Sequence, residues 1–105
     1  MNHEIKEIKR TENGFPEILK RIKSCPEKLF YRGRWNEGLF KKSLAVVGSR
    51  KMTEEGKRSV IKLVPQLINK GVIIVSGFAQ GVDSEAHWQC VRMKKPTVAV
   101  LGWGL

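Results

Sequence analysis

The stretch Leu44-Ala45-Val46-Val47-Gly48-Ser49-Arg50-Lys51 decides the fold. Four consecutive apolar residues running into a glycine read as a strand buried on both faces, the habit of parallel sheets. The residues after it read as a crossover helix. Thr53 suits the N-cap, Glu54 and Glu55 fall where the helix dipole favours negative charge, and Val60, Ile61, Val64, Leu67 and Ile68 recur at helical spacing. Gly71 supplies the stop. Pro65 lies inside this helix and predicts a bend, because an internal proline removes one backbone hydrogen bond. Val72-Ile73-Ile74-Val75 is a second buried strand, a second helix runs from about Asp83 to Met93, and Thr97-Val98-Ala99-Val100-Leu101 is a third strand.

Strand, helix, strand, helix, strand with short connections implies parallel pairing through right-handed crossovers. The expected fold is therefore α/β: a Rossmann-like, three-layer α/β/α arrangement with a parallel sheet, of which this chain carries a βαβαβ core. A doubly wound fold normally adds strands after the third, so the domain is expected to be truncated here. Residues 1–43 read as a separate lead-in. Ile5, Ile8, Phe15, Ile18, Leu19 and Ile22 predict short amphipathic helices broken at Asn13-Gly14, one of them from Pro16 to about Lys23. Leu29-Phe30-Tyr31 predicts a short strand closed by Gly33, and Trp35 and Phe40 flank a turn at Asn36-Glu37-Gly38. Residues 44–105 form the partial Rossmann-like domain.

Composition narrows the class. The 105 residues are 41% hydrophobic and 29% charged, an ordinary globular balance that fits one domain. Lys and Arg number 20 against 10 Asp and Glu, a net charge of +10, with a pI near 10.0. Such a surplus on 12.0 kDa favours a polyanion, nucleic acid before a membrane surface. The surplus is spread evenly: residues 1–43 hold 11 basic and 6 acidic side chains (+5), and residues 44–105 hold 9 and 4 (+5). No apolar run approaches the roughly 20 residues of a membrane span. The opening residues lack the apolar stretch of a secretory signal, so a cytoplasmic location is expected. Cys25 and Cys90 lie far apart and, with two histidines, make no zinc signature; both are expected as reduced thiols, and no metal or cofactor is expected.

In open parallel sheets ligands gather at the carboxyl ends of the strands, where three loops of this chain fall. In Gly48-Ser49-Arg50-Lys51 either the glycine permits close approach, the serine offers a hydroxyl and the arginine is a rigid fork suited to phosphate, or the glycine only makes a tight turn and the arginine is a solvated surface residue. The amides opening the next helix would add partial positive charge. Ser76-Gly77-Phe78-Ala79-Gln80-Gly81, followed by Val82 and Asp83, is neither a Walker loop nor Gly-x-Gly-x-x-Gly, yet its amides could cradle a phosphate. Asp83 is expected as a helix N-cap, with ligand contact as the minority reading. Phe78 is either core or a stacking platform for a base. Gly102-Trp103-Gly104 suits a nucleobase platform, or is a hydrophobic end without its packing partners. His87 follows Asp83 by four residues on one helix face, but no Gly-x-Ser-x-Gly nucleophile accompanies it, so a packed histidine is expected. Cys90 reads as core, and Trp88 as cover for apolar surface.

These loops also carry a resemblance. Leu44-Ala45-Val46-Val47-Gly48-Ser49-Arg50, then Val75-Ser76-Gly77-Phe78-Ala79-Gln80-Gly81-Val82-Asp83 with Ala86-His87, then Thr97-Val98-Ala99-Val100-Leu101-Gly102 and Gly104-Leu105, resemble in order and spacing the DNA-processing protein A (Smf) family of bacteria. Phe15-Pro16-Glu17-Ile18-Leu19 and Leu29-Phe30-Tyr31-Arg32-Gly33 match as well. The resemblance implies a non-enzymatic protein that binds single-stranded DNA during natural transformation and helps load a RecA-type recombinase. It also implies a homodimer, formed through a segment beyond these residues. The family's phosphate-contacting arginine carries over to Arg50, beside Gly48, Ser49 and Lys51, and the Ser76–Asp83 loop to the same pocket wall. Phe78 and Gln80 depart from the family's usual Leu and Arg, which removes one positive charge. The alternative is a nucleotide-binding enzyme or sensor related to the phosphoribohydrolases, whose Pro-Gly-Gly-x-Gly-Thr type motif is not present here.

Overall fold

The structure is a computed structural model that describes residues 4–36 and 38–102. Two compact units make it up, one ending at Lys41 and one beginning at Lys42.

In the first unit, β1 (Lys6–Lys9) pairs antiparallel with β2 (Lys28–Tyr31). The helix expected around Ile5 and Ile8 is thus a strand. A spacing of three is ambiguous in so short a segment, and pairing with β2 settles it: Ile8 faces inward at 6% exposure opposite Leu29, while its neighbours are exposed. The helix expected from Pro16 to Lys23 shrinks to a 3-10 turn over Leu19–Arg21, with Ile18 and Ile22 exposed. The local core is Ile8 and Phe15, roofed by Trp35, whose Nε1 donates to the Gly14 carbonyl at 2.8 Å. Tyr31, Trp35 and Phe40 stack in sequence, at centroid distances of 4.7 and 5.3 Å.

In the second unit β3 (Ser43–Ala45), β4 (Ile73–Ser76) and β5 (Thr97–Ala99) form a parallel sheet in the order β3-β4-β5. The crossovers are α1 (Glu54–Asn69) and α2 (Val82–Arg92). Thr53 caps α1 as expected, its Oγ1 accepting the Gly56 N–H at 3.0 Å. The helix passes uninterrupted through Pro65 and closes with paired bonds, Gly71 N–H to Ile68 O and Val72 N–H to Leu67 O.

The helices pack on each other and both touch β4, so they share one face of the sheet. Between them and the sheet lies the core of Val60, Val64, Ile68, Ile74, Ala86 and Cys90. Ile74 is fully buried, a placement that contributes about 1.5–3 kcal/mol. Ile61, expected in the stripe, is turned outward at 42% exposure.

The described residues thus supply the sheet and one helical layer of the expected three-layer arrangement. The reading of Leu44–Val47 as buried on both faces is corrected accordingly. Leu44 is 46% and Val47 77% exposed, because β3 is a sheet edge and no described element covers the Val47 side. Among the described residues, no helix is long and apolar enough to cross a membrane.

Candidate functional site

Parallel pairing brings the ends of β3 and β4 side by side, and with them the loops Gly48–Lys51 and Ser76–Gly81. Three contacts fasten these loops together. The Val82 N–H, at the start of α2, donates to the Ser49 carbonyl at 3.2 Å. Gly81, at φ +81°, lies so close that a Cβ there would collide with that same carbonyl oxygen. The third contact is Asp83, whose Oδ1 accepts the Gly48 N–H at 3.4 Å. Its other carboxylate oxygen would stand 2.6 Å from any Cβ placed on Gly77. One buried carboxylate, 6% exposed, therefore sits between both loops.

This corrects the expectation for Asp83. The N-cap of α2 is Gly81, without a side-chain cap, and Asp83 lies in the first turn. His87, one turn later on the same face, holds the second loop. Its Nε2 lies 2.7 Å from the Gly77 carbonyl, an oxygen that can only accept, so this nitrogen carries a proton. Its Nδ1 lies 2.7 Å from Thr97 Oγ1 on β5. Both ring nitrogens are engaged, as a packed histidine requires. Ser84 Oγ closes the loop's far end by donating to the Ala79 carbonyl at 2.7 Å.

The sequence-predicted residues therefore divide into two groups. Ser76 and Asp83 are buried behind the loops; Ser76 Oγ donates to the Val46 carbonyl. Gly48, Ser49, Arg50, Lys51, Phe78 and Gln80 are exposed, with Gly77, Ala79 and Gly81 half-buried between them. Phe78 is settled as a surface residue at 66% exposure. It is three residues from Gly81, at most about 11 Å of chain, so the aromatic tip and Arg50 share one neighbourhood.

Several amides around the two loops are already engaged. The Gly48 amide is taken by Asp83, and the Lys51 amide donates to Ser49 Oγ at 3.1 Å. The first amide of α2 is taken by Ser49, and Asp83 and Glu85 lie in that turn. Positive charge here comes from the Arg50 and Lys51 side chains, neither paired with a carboxylate among the described residues. Trp103 and Gly104 of the third loop lie outside the described residues. Trp88, expected to cover apolar surface, is 56% exposed. Cys90 is buried at 0% exposure, and burial raises its thiol pKa, opposed by a hydrogen bond with the Thr97 side chain.

The sequence profile of the family described as DNA recombination-mediator protein A matches residues 6–105. The chain belongs to that family. It is 41% identical over 94 residues to the DNA processing protein DprA of Streptococcus pneumoniae, covering 90% of this chain and 33% of that protein. It is 38% identical over 94 residues to Protein Smf of Synechocystis, covering 87% and 24%. The X-ray structure of DNA processing protein A (DprA) from Streptococcus pneumoniae superposes with a TM-score of 0.83 at 37% identity, over 95% of this chain and 35% of that one. The chain thus spans about a quarter to a third of the length of these recombination-mediator relatives.

What sequence reasoning missed is the role of the Asp83–His87 face. Their spacing of four was visible and marks a shared face. Their partners, Gly48 and Gly77, lie on other elements and become neighbours only through the sheet.

Proposed function

We propose that the chain binds single-stranded DNA without sequence preference, as part of bacterial DNA uptake and recombination. The contact surface is the pair of fastened loops, with Arg50 and Lys51 on phosphates and Phe78 stacked on a base. One observation carries this reading: two cations with no carboxylate partner among the described residues and an exposed aromatic stand on loops that a buried Asp83 fastens together. Guanidinium and ammonium groups neutralise phosphates and release counterions, and an aromatic face accepts any base. Neither contact reads base edges, so sequence preference is low. The net charge of +10 supplies long-range attraction.

The family's description as a recombination mediator and the relatives' names as DNA processing proteins support the DNA-processing context. A cytoplasmic site of action, a RecA-type recombinase as downstream partner and a homodimer of the longer proteins are part of the proposal. The reading is non-enzymatic: Asp83 and His87, the candidate acid–base pair, are both engaged in holding the loops.

The test is fluorescence anisotropy of a labelled oligodeoxythymidylate, competed with the same length of duplex and with thymidine monophosphate. Single strand is expected to compete best and the mononucleotide hardly at all. Micromolar binding of the mononucleotide with no gain from chain length would replace this reading with the nucleotide-binding enzyme.

A further inference from the structure

The first unit carries a second surface of the same chemistry. Alternation along the β1–β2 ribbon turns Ile8 and Leu29 inward and leaves Glu7, Lys9, Lys28 and Phe30 exposed on the other side. On that side Lys9 stands directly opposite Lys28, and Glu7 opposite Phe30. Like charges directly across a strand pair destabilise it. Lys28 finds partial relief diagonally, 3.5 Å from Glu7, and its ammonium lies over the Phe30 ring at 5.3 Å from the centroid. Lys9 has no ion pair among the described residues. Arg10 adds a third cation, and Lys9, Arg10, Thr11, Glu27 and Lys28 line an open concavity beside the ribbon. Phe30 is 58% exposed although it lies in a strand.

We infer that this ribbon face is a second contact site for single-stranded nucleic acid, with a phosphate between Lys9 and Lys28 and the adjoining base on Phe30. A bound phosphate relieves the cross-strand repulsion and draws Lys28 away from the ring, which frees the aromatic face. Lys28 and Phe30 are two residues apart, about 7 Å along the strand, the reach from a phosphate to a neighbouring base. Duplex does not fit the aromatic half of the site, because its bases are already stacked on one another. The inference adds to the loop reading but stands on other residues in the other unit.

The experiment is a salt-titrated anisotropy series with labelled oligodeoxythymidylate on wild type, Lys9→Gln/Lys28→Gln, Phe30→Leu, Phe30→Trp and Arg50→Ala. Removing both lysines is expected to flatten the slope of log affinity against log salt by about 0.7, the loss of the one phosphate they share. Phe30→Leu is expected to weaken binding about tenfold. Phe30→Trp should restore it, with the new indole fluorescence quenched on binding. Leucine keeps the apolar bulk, so loss with Leu and rescue with Trp separates stacking from folding. Unchanged slope and affinity in the lysine and leucine variants, with Arg50→Ala impaired, overturns the ribbon site alone. The reverse pattern overturns the loop site alone.

Discussion

Asp83 Oδ1 accepts the Gly48 amide across 35 residues of sequence, at 3.4 Å, while the rest of its carboxylate fills the space beside Gly77. A side chain on α2 thus sets the spacing of two loops that end two different strands. The cations on the first loop and the aromatic on the second keep a fixed relation for that reason.

Asp83→Ala should cost about 0.5–1.5 kcal/mol, since the Gly48 amide loses its protein partner and water can take its place. Asp83→Asn keeps the shape and an accepting oxygen, so its loss should be smaller. Urea unfolding of the three proteins measures the order; equal stability of wild type and alanine variant would show that the carboxylate holds nothing.

Gly81→Ala meets two penalties at once, a positive φ that side chains disfavour and a collision with the Ser49 carbonyl oxygen. The cost should be on the order of 1–3 kcal/mol, with the loops displaced. A lower urea midpoint together with weaker oligonucleotide binding is expected. Wild-type values for both would mean that the two loops are not in contact.

The α1 cap predicts a smaller effect. Thr53→Ala removes the acceptor for the Gly56 N–H and should cost about 1 kcal/mol, read as a lower melting temperature. No shift would indicate that water replaces the cap without loss.

The fold was largely legible because apolar runs and cap residues are local signals. Val72–Val75, the Thr53 cap and the Gly71 stop all stand where their chemistry puts them, give or take a residue. The failures are non-local. Ile5 and Ile8 could belong to a helix or a strand until β2 pairs with β1. Leu44–Val47 is apolar enough for a buried strand, but which of its faces is covered depends on what packs there. The candidate loops could be located from the strand ends, but whether Phe78 lay in the core or at the surface could not be read until the fold placed it. His87 was legible as a packed histidine but not its partners, and Asp83 was read as a cap, since the groups both of them hold lie on other elements.

Cys90 gives a prediction about pH. Burial raises the thiol pKa above the unfolded value of 9.0, so the folded state keeps a proton that the unfolded state gives up. The resulting stability is complete below that value and is lost as pH rises through the folded pKa. Urea midpoints should fall in alkaline buffer more steeply for wild type than for Cys90→Ala, and Cys90 should resist alkylation at pH 8 until the protein unfolds. Prompt labelling of Cys90 in the folded protein would contradict its place in the core.

Arg50 is the residue on which phosphate binding at the loops depends, and a salt titration of single-strand binding isolates its contribution. Arg50→Ala should weaken oligodeoxythymidylate binding at every salt concentration and make the slope of log affinity against log salt shallower by about 0.7, the loss of one phosphate contact. A variant that matches wild type in both affinity and slope, with the same melting temperature, would contradict that dependence.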